Sequence, residues 1–272
     1  MGLQAGGHRF DPGTLHHPLT VPLRRRMIAG AVKDLRLSTV GAVCAIVAVI
    51  GFVIGIVLSV SSGVQVLIPE TGSEGLDWIA DVDDASDAFF AGAWLIVFAG
   101  LAGLIALVGF YDALKEAGPA MIIAPVAGAV GMTLVTISHV LPVALAYEFV
   151  PGYVEADEAT RASLAVTFDT FANLSLLTNY VGNALGWGVT VPLYAYAVLK
   201  TGAVPRWIGW LGIVVAVFTG WLGLLAPASS VIEGVTTIGF LGFFVFMLSM
   251  GIALLRRDRR GAPTTESAVT RQ

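Results

Sequence analysis

The sequence predicts an all-α polytopic membrane protein with six transmembrane helices and with the N- and C-termini in the cytoplasm. Three observations lead to this prediction. The 272-residue chain is 56% hydrophobic and only 12% charged, with a mean hydropathy of +0.83, whereas soluble chains carry about a quarter charged residues. The apolar residues fall into six long runs separated by short polar connectors. The basic residues lie almost entirely on one side of the membrane that these runs define.

Each apolar run reaches the ~20 residues that a helix needs to cross ~30 Å of hydrocarbon. The runs should be helices because lipid offers no hydrogen-bond partner to an open backbone, and the ~10-residue alternation of a membrane β-barrel is absent. The six predicted spans cover residues 39–60, 88–111, 119–147, 171–199, 205–226 and 231–255.

The distribution of charge predicts the orientation of these spans. When the connectors are assigned alternately to two sides, fourteen of the fifteen Lys and Arg residues fall on one side. The other side holds only Arg161, together with thirteen of the nineteen acidic residues. Because basic connectors stay in the cytoplasm, both termini are predicted to be cytoplasmic, and the acidic side is called the outer side.

The segments that flank the spans divide the chain into three predicted parts. Residues 1–37 form a basic cytoplasmic arm that is partly disordered, or that forms a short basic helix on anionic lipid near its end. Residues 38–256 form the transmembrane bundle, and residues 257–272 form a disordered cytoplasmic tail. The first span is too long for the ~7–15-residue apolar core of a signal peptide, so we interpret it as an uncleaved helix.

The first outer connector, residues 61–87, is the longest and the most acidic. On a helix, Asp77, Asp81 and Asp84 would share one face, and carboxylates are suitable ligands for hard cations. The connector lacks the Gly and terminal Glu of a calcium loop. No metal site is therefore predicted, and whether this loop attracts a cation is left open.

Spans three and four carry most of the polar residues within the apolar runs, and polar groups inside hydrocarbon are costly and informative. His139 in span three is the only histidine within a span. Span four carries polar and aromatic residues spaced three or four apart, which places them on one face of the helix. These residues are Asn179, Asn183, Trp187, Thr190 and Tyr194.

The depths of these residues predict a pocket. His139 lies eight residues before the outer end of span three, and Asn179 lies about eight residues after the outer start of span four. At an equal rise per residue, the two side chains should lie at similar depth in antiparallel helices. The predicted outward-facing pocket is formed by His139, Asn179, Asn183, Trp187 and Tyr194, with Glu148 one turn above its opening. In the alternative interpretation, these groups only form hydrogen bonds between helices.

Several classes of membrane enzyme lack their required residues. One histidine within the spans cannot supply three zinc ligands or two haem ligands, and the single cysteine, Cys44, cannot form an intramolecular disulfide. No span carries a Lys for a retinal Schiff base. The sequence therefore predicts no catalytic residue, no cofactor and no nucleic-acid partner.

The end of the chain carries a family resemblance. The motif Val204-Pro205-Arg206-Trp207 marks the entry into span five, and span six ends in Leu254-Leu255 followed by two arginines. Over residues 199–257 the chain resembles bacterial six-span proteins of the group called domain of unknown function 4386. The resemblance implies a multi-pass protein of the bacterial inner (plasma) membrane and transfers no activity. Arg206, Trp207 and Trp210 are expected to anchor span five at the membrane interface.

The leading functional hypothesis is that the protein binds a small or lipid-like ligand in a pocket between spans three and four, with transport of that ligand left open. One alternative is a non-catalytic scaffold or accessory subunit whose polar stripe binds a helix of another protein. A second is an intramembrane lipid-modifying enzyme, which would need His139 beside Glu148 or Asp169. Membrane lipids are expected partners, and Gly51 and Gly55 could support a homo-oligomer through their Gly-x-x-x-Gly spacing.

Overall fold

The computed structural model of the protein describes residues 36–64, 69, 71–85, 87–228 and 230–260. The predicted arm up to residue 35 and the tail beyond residue 260 lie outside these described residues. The described residues form nine α-helices: α1 Leu37–Ser61, α2 Ser73–Asp83, α3 Asp87–Leu114, α4 Ile123–Ala144, α5 Val150–Glu155, α6 Glu158–Leu185, α7 Val191–Thr201, α8 Arg206–Val215 and α9 Ser230–Arg260.

Short segments with other helical hydrogen-bond patterns connect several of these helices. Three segments are π-helical: Leu145–Phe149, Gly186–Thr190 and Ala216–Trp221. Three are 3₁₀-helical: Lys115–Ala117, Pro119–Ile122 and Leu222–Ala228. The π segments preserve helical continuity, so α6 and α7 form one helical stretch from Glu158 to Thr201.

The all-α prediction is confirmed, and the chain is a multi-pass membrane protein. Among the described residues, five helical stretches are long and apolar enough to cross a membrane: Leu37–Ser61, Asp87–Ala117, Pro119–Glu155, Arg206–Leu225 and Gly234–Arg260. They correspond to predicted spans one, two, three, five and six. The stretch Glu158–Thr201 contains predicted span four and has the required length, but its Asn, Thr and Gly residues lower its hydropathy. Six spans are compatible with this architecture, while the cytoplasmic position of the termini stays a prediction.

Helix α9 continues past the predicted end of the bundle at residue 256. It extends to Arg260, and Asp258 on its last turn is only 8% exposed. The carboxylate of Asp258 accepts hydrogen bonds from the hydroxyls of Ser38, at 2.7 Å, and Thr39, at 2.9 Å. These bonds join the end of span six to the start of span one, so the bundle includes the residues up to Arg260.

Glycines bring α1 and α3 into backbone contact at two places. A Cβ atom added to Gly41 would lie 2.5 Å from the Cα of Gly109, and one added to Gly55 would lie 2.8 Å from the carbonyl oxygen of Gly92. A Cβ on Gly51 would lie 3.1 Å from the Cβ of Ala99 on α3. The Gly-x-x-x-Gly pair therefore packs inside the chain. A homo-oligomer through Gly51 and Gly55 stays a prediction.

Hydrogen bonds attach the fourth span to its neighbours. Ser175 Oγ donates to the carbonyl of Ser138 at 2.7 Å, and Thr190 Oγ1 donates to the carbonyl of Ala124 at 3.1 Å. The hydroxyl of Tyr194 donates to the carbonyl of Leu107 at 2.7 Å. These bonds satisfy polar side chains within apolar surroundings and fix the rotation of α6 and α7 against spans two and three.

Helix α2 covers one end of the bundle. Its apolar face buries Trp78, Ile79 and Val82, and the ring of Trp78 lies 5.9 Å from that of Phe168, centroid to centroid. Its acidic residues Asp77 and Asp81 are exposed. No group of three or more His, Cys, Asp or Glu side chains in the described part of the chain could hold a metal ion.

Replacing Gly41 by Ala should destabilise the bundle, because the new Cβ would overlap the backbone of Gly109. Overpacking of this kind costs about 1–3 kcal/mol. We expect the melting temperature of the detergent-solubilised Gly41→Ala variant to fall. Gly234 on α9 is the control, because a Cβ added there would meet nothing within 4 Å, and Gly234→Ala should leave melting unchanged or slightly raised. Equal melting of the two variants would contradict the backbone contact.

Candidate functional site: the central cavity

A cavity of about 340 Å³, which we call the central cavity, lies inside the bundle. All six predicted spans contribute to its wall, so the predicted location between spans three and four is only part of the boundary. The lining residues are Phe52, Ile56, Ile96, Met132, Val135, His139, Asn179, Tyr180, Asn183, Trp187, Thr219, Thr236, Thr237, Phe240 and Phe243.

Two of the π segments form part of this wall. Trp187 belongs to the segment Gly186–Thr190, and Thr219 belongs to the segment Ala216–Trp221. The segments contact each other through Gly188 and Gly220, since a Cβ added to Gly188 would lie 3.6 Å from the Cα of Gly220. Single π turns inside α-helices occur frequently at functional sites. Here the contact holds Trp187 and Thr219 on neighbouring parts of the cavity wall.

Two buried polar atoms of the wall have no hydrogen-bond partner among the described residues. The side-chain nitrogen of Asn183 donates to the side-chain oxygen of Asn179, but Asn183 Oδ1 itself is unpartnered. The hydroxyl of Thr219, a residue that is 1% exposed, is unpartnered as well. Leaving a buried polar group unsatisfied costs about 1–3 kcal/mol. A bound ligand or water would remove this cost.

His139 presents a hydrogen-bond acceptor. Its Nδ1 lies 2.7 Å from the carbonyl oxygen of Val135 and 3.3 Å from Ser138 Oγ. A carbonyl oxygen only accepts hydrogen bonds, so Nδ1 carries the proton and Nε2 of the neutral ring is the acceptor. His139, Asn183 and Thr219 together give the wall two acceptors and one hydroxyl that can donate or accept.

The rest of the wall is apolar and largely aromatic. The ring centroid of Trp187 lies 5.0 Å from that of Phe240 and 5.2 Å from that of Phe243. None of the lining residues in the described part of the chain is Asp, Glu, Lys or Arg. The central cavity therefore combines uncharged hydrogen-bonding groups with aromatic surface.

Packed side chains close the cavity on the side facing Arg260, which we call the Arg260 end. A small void of about 20 Å³ there is lined by Trp187, Phe110 and Tyr194, among others. The ring of Tyr194 packs edge-on against Phe110 with centroids 5.9 Å apart. Between Trp187 and the Arg260 end, the bundle has a close-packed core.

The structure brings together four of the predicted pocket residues, since His139, Asn179, Asn183 and Trp187 all line the central cavity. Tyr194 does not line it. This residue is buried nearer the Arg260 end, where its hydroxyl bonds to Leu107. The stripe predicted on span four thus faces the interior of the bundle.

Glu148 does not line the central cavity, and its predicted position one turn above the opening stays a prediction. It belongs to the π segment Leu145–Phe149, which leaves its side chain exposed. Asp169 instead accepts a hydrogen bond from the backbone nitrogen of Gly72 at 3.0 Å. Neither carboxylate is among the residues that line the cavity with His139.

Spans one, two, five and six also contribute to the wall, although the sequence did not predict their contributions. Thr219 in span five and Thr236 in span six are polar residues within apolar runs, so the cost argument applied to spans three and four could have identified them. Phe52, Phe240 and Phe243 give no comparable signal, because aromatic residues are ordinary in membrane helices. The predicted interface residues Arg206, Trp207 and Trp210 lie in the first half of α8 with exposed side chains.

The family resemblance extends over the whole bundle. The family model described as domain of unknown function (DUF4386) matches residues 39–256, well beyond the predicted region 199–257. The chain therefore belongs to this family. No curated protein and no solved structure matches the chain.

Removing an unpartnered hydroxyl should stabilise the ligand-free protein. Thr219→Val keeps the shape of the side chain and removes the unsatisfied group, so we expect a gain of about 1 kcal/mol and a higher melting temperature. Ser59 is the matched control, since its Oγ is also buried without a hydrogen-bond partner in the described part of the chain but lies outside the lining of the cavity. Ser59→Ala should stabilise similarly. A lower melting temperature for Thr219→Val alone would indicate that this hydroxyl has a bound partner.

Proposed function

We propose that this membrane protein binds an uncharged, largely apolar molecule that carries a hydroxyl group, and that it does so in the central cavity. The observation that carries the proposal is the buried Asn183 Oδ1, which has no hydrogen-bond partner among the described residues and lies at the wall of a cavity of about 340 Å³. Binding sites for small molecules are typically ~300–1,000 Å³, mostly apolar, and contain a few placed polar groups. The central cavity has each of these properties.

The absence of charge in the described wall supports a neutral ligand. A charged ligand would lose its hydration inside the bundle and would find no opposite charge there. A hydroxyl group, in contrast, could donate to Asn183 Oδ1 or His139 Nε2 and could accept from Thr219. These bonds would satisfy the atoms that the protein leaves unpartnered.

The aromatic part of the wall supports a lipid-like body for the ligand. Trp187, Phe240 and Phe243 offer broad apolar faces, and burying apolar area contributes roughly 25 cal/mol per Å² when the molecule comes from water. A molecule already dissolved in lipid would gain less from this term. Its selection would then depend on the hydrogen bonds and on shape.

The position of the polar stripe in the cavity wall favours ligand binding over the scaffold alternative. A scaffold would present Asn179 and Asn183 to a neighbouring helix across a lipid-facing surface, whereas both residues line the central cavity. Transport across the membrane would require Trp187, Phe110 and Tyr194 to separate, because these residues pack at the closed end. Binding therefore suffices to account for the arrangement.

Native mass spectrometry of the protein released gently from its own membrane should reveal a discrete bound molecule. Asn183→Leu keeps the size of the side chain but removes its hydrogen-bonding groups, so we expect about a 3- to 10-fold loss of the adduct, as for one lost hydrogen bond. Asn173→Leu is the matched control, because Asn173 lies on the same helix, is exposed and bonds only to the carbonyl of Asp169. The Asn173→Leu variant should retain as much of the adduct as the native protein.

Three results would argue against the proposal. The first is a protein without any adduct, the second is the same diffuse lipid shell in the native protein and both variants, and the third is equal loss of the adduct in both variants. A charged adduct that requires Asn183 would retain the site but reject the proposed class of ligand.

A further inference from the structure

A groove at the Arg260 end carries concentrated positive charge. It has a volume of about 750 Å³, lies between the start of α8 and the end of α9, and is lined by Arg206, Arg256, Arg257 and Arg260 together with Trp207. No Asp or Glu occurs among the described residues that line it. We call it the arginine groove.

Three of these arginines lack a counter-charge among the described residues. Arg257 is engaged, since it donates to the carbonyl of Ala113 at 3.2 Å and forms an ion pair with Asp258 at 3.3 Å. Arg206, Arg256 and Arg260 are exposed and form no ion pair with a described residue. Helix α8 also begins at Arg206, so the positive end of its helix dipole adds to their positive potential.

A second groove continues along the same pair of spans. It is apolar, has a volume of about 320 Å³, and is lined by Leu211, Val214 and Phe218 on one side and by Ile238, Gly239 and Gly242 on the other. On α9, Gly242 precedes Ser249 of the arginine groove by seven residues, which is two helical turns and ~10 Å along the same face. The apolar groove thus extends the arginine groove from the membrane boundary towards the interior of the membrane.

We propose that these two grooves together bind an anionic phospholipid. Arg206, Arg256 and Arg260 contact the phosphate of the headgroup, because guanidinium groups bind phosphate oxygens in a bidentate manner. One acyl chain lies in the apolar groove between α8 and α9. Basic pockets between transmembrane helices are suited to such headgroups, and only a lipid supplies both the negative charge and the chain. The site is separate from the central cavity, and the proposal does not depend on the function proposed for that cavity.

Binding of phosphatidylglycerol to the full-length, delipidated protein in detergent tests the proposal, with native mass spectrometry as the measurement. We expect phosphatidylglycerol to remain bound in preference to phosphatidylcholine. Arg256→Gln should weaken phosphatidylglycerol binding about fivefold, since a basic residue near the headgroup contributes about that factor. Arg256→Lys should retain part of the affinity, because it keeps the charge and loses the bidentate geometry.

Arg259→Gln is the matched control. Arg259 lies on the same turn of α9 and is exposed, but it does not line the arginine groove, so its replacement should leave phosphatidylglycerol binding unchanged. Equal weakening by Arg259→Gln would show a general charge effect and overturn the proposal. Equal binding of phosphatidylcholine would also overturn the proposal. Displacement of phosphatidylglycerol by millimolar inorganic phosphate would overturn it as well, because it would show that the arginines bind a free anion.

Discussion

The contact between Gly188 and Gly220 is the constraint on which the shape of the central cavity depends. A side chain on Gly220 would overlap the backbone of Gly188, so only glycine lets the two π segments approach this closely. Each segment carries a residue of the cavity wall, Trp187 on one and Thr219 on the other. The close approach of the two segments therefore determines how spans four and five meet at the cavity wall.

In the polar part of the wall, the stability of the protein and the proposed binding of a ligand make opposite demands. A membrane helix gains most when its polar groups are satisfied internally, and Ser175, Thr190 and Tyr194 follow this rule by bonding to carbonyls of neighbouring helices. Asn183 Oδ1 and the Thr219 hydroxyl find no such partner among the residues that the structure describes. Both atoms lie in the cavity wall, where the cost of leaving them unsatisfied can be offset by a molecule that enters.

Hydropathy and charge predict most of the architecture because the cost of burying a polar group in lipid is readable along a linear sequence. The same cost identifies His139, Asn179 and Asn183 from the sequence alone. The rotation of each helix is not readable in this way, because it depends on glycine contacts and π turns such as Gly186–Thr190. For this reason the aromatic residues that span six contributes to the wall, Phe240 and Phe243, could not be predicted from the sequence.

Depth in the membrane explains why the two proposed sites use different chemistry. The central cavity lies in the middle of the bundle, where an uncompensated charge is costly, and its described wall offers only neutral donors and acceptors. The arginine groove lies at the helix ends, where a guanidinium can keep its hydration until a phosphate replaces it. Arg206, Arg256 and Arg260, which have no ion pair among the described residues, are therefore tolerable where they lie and would be destabilising around His139. A ligand for the interior must form its polar contacts without charge, whereas a ligand for the boundary can use charge and leave its apolar part between α8 and α9.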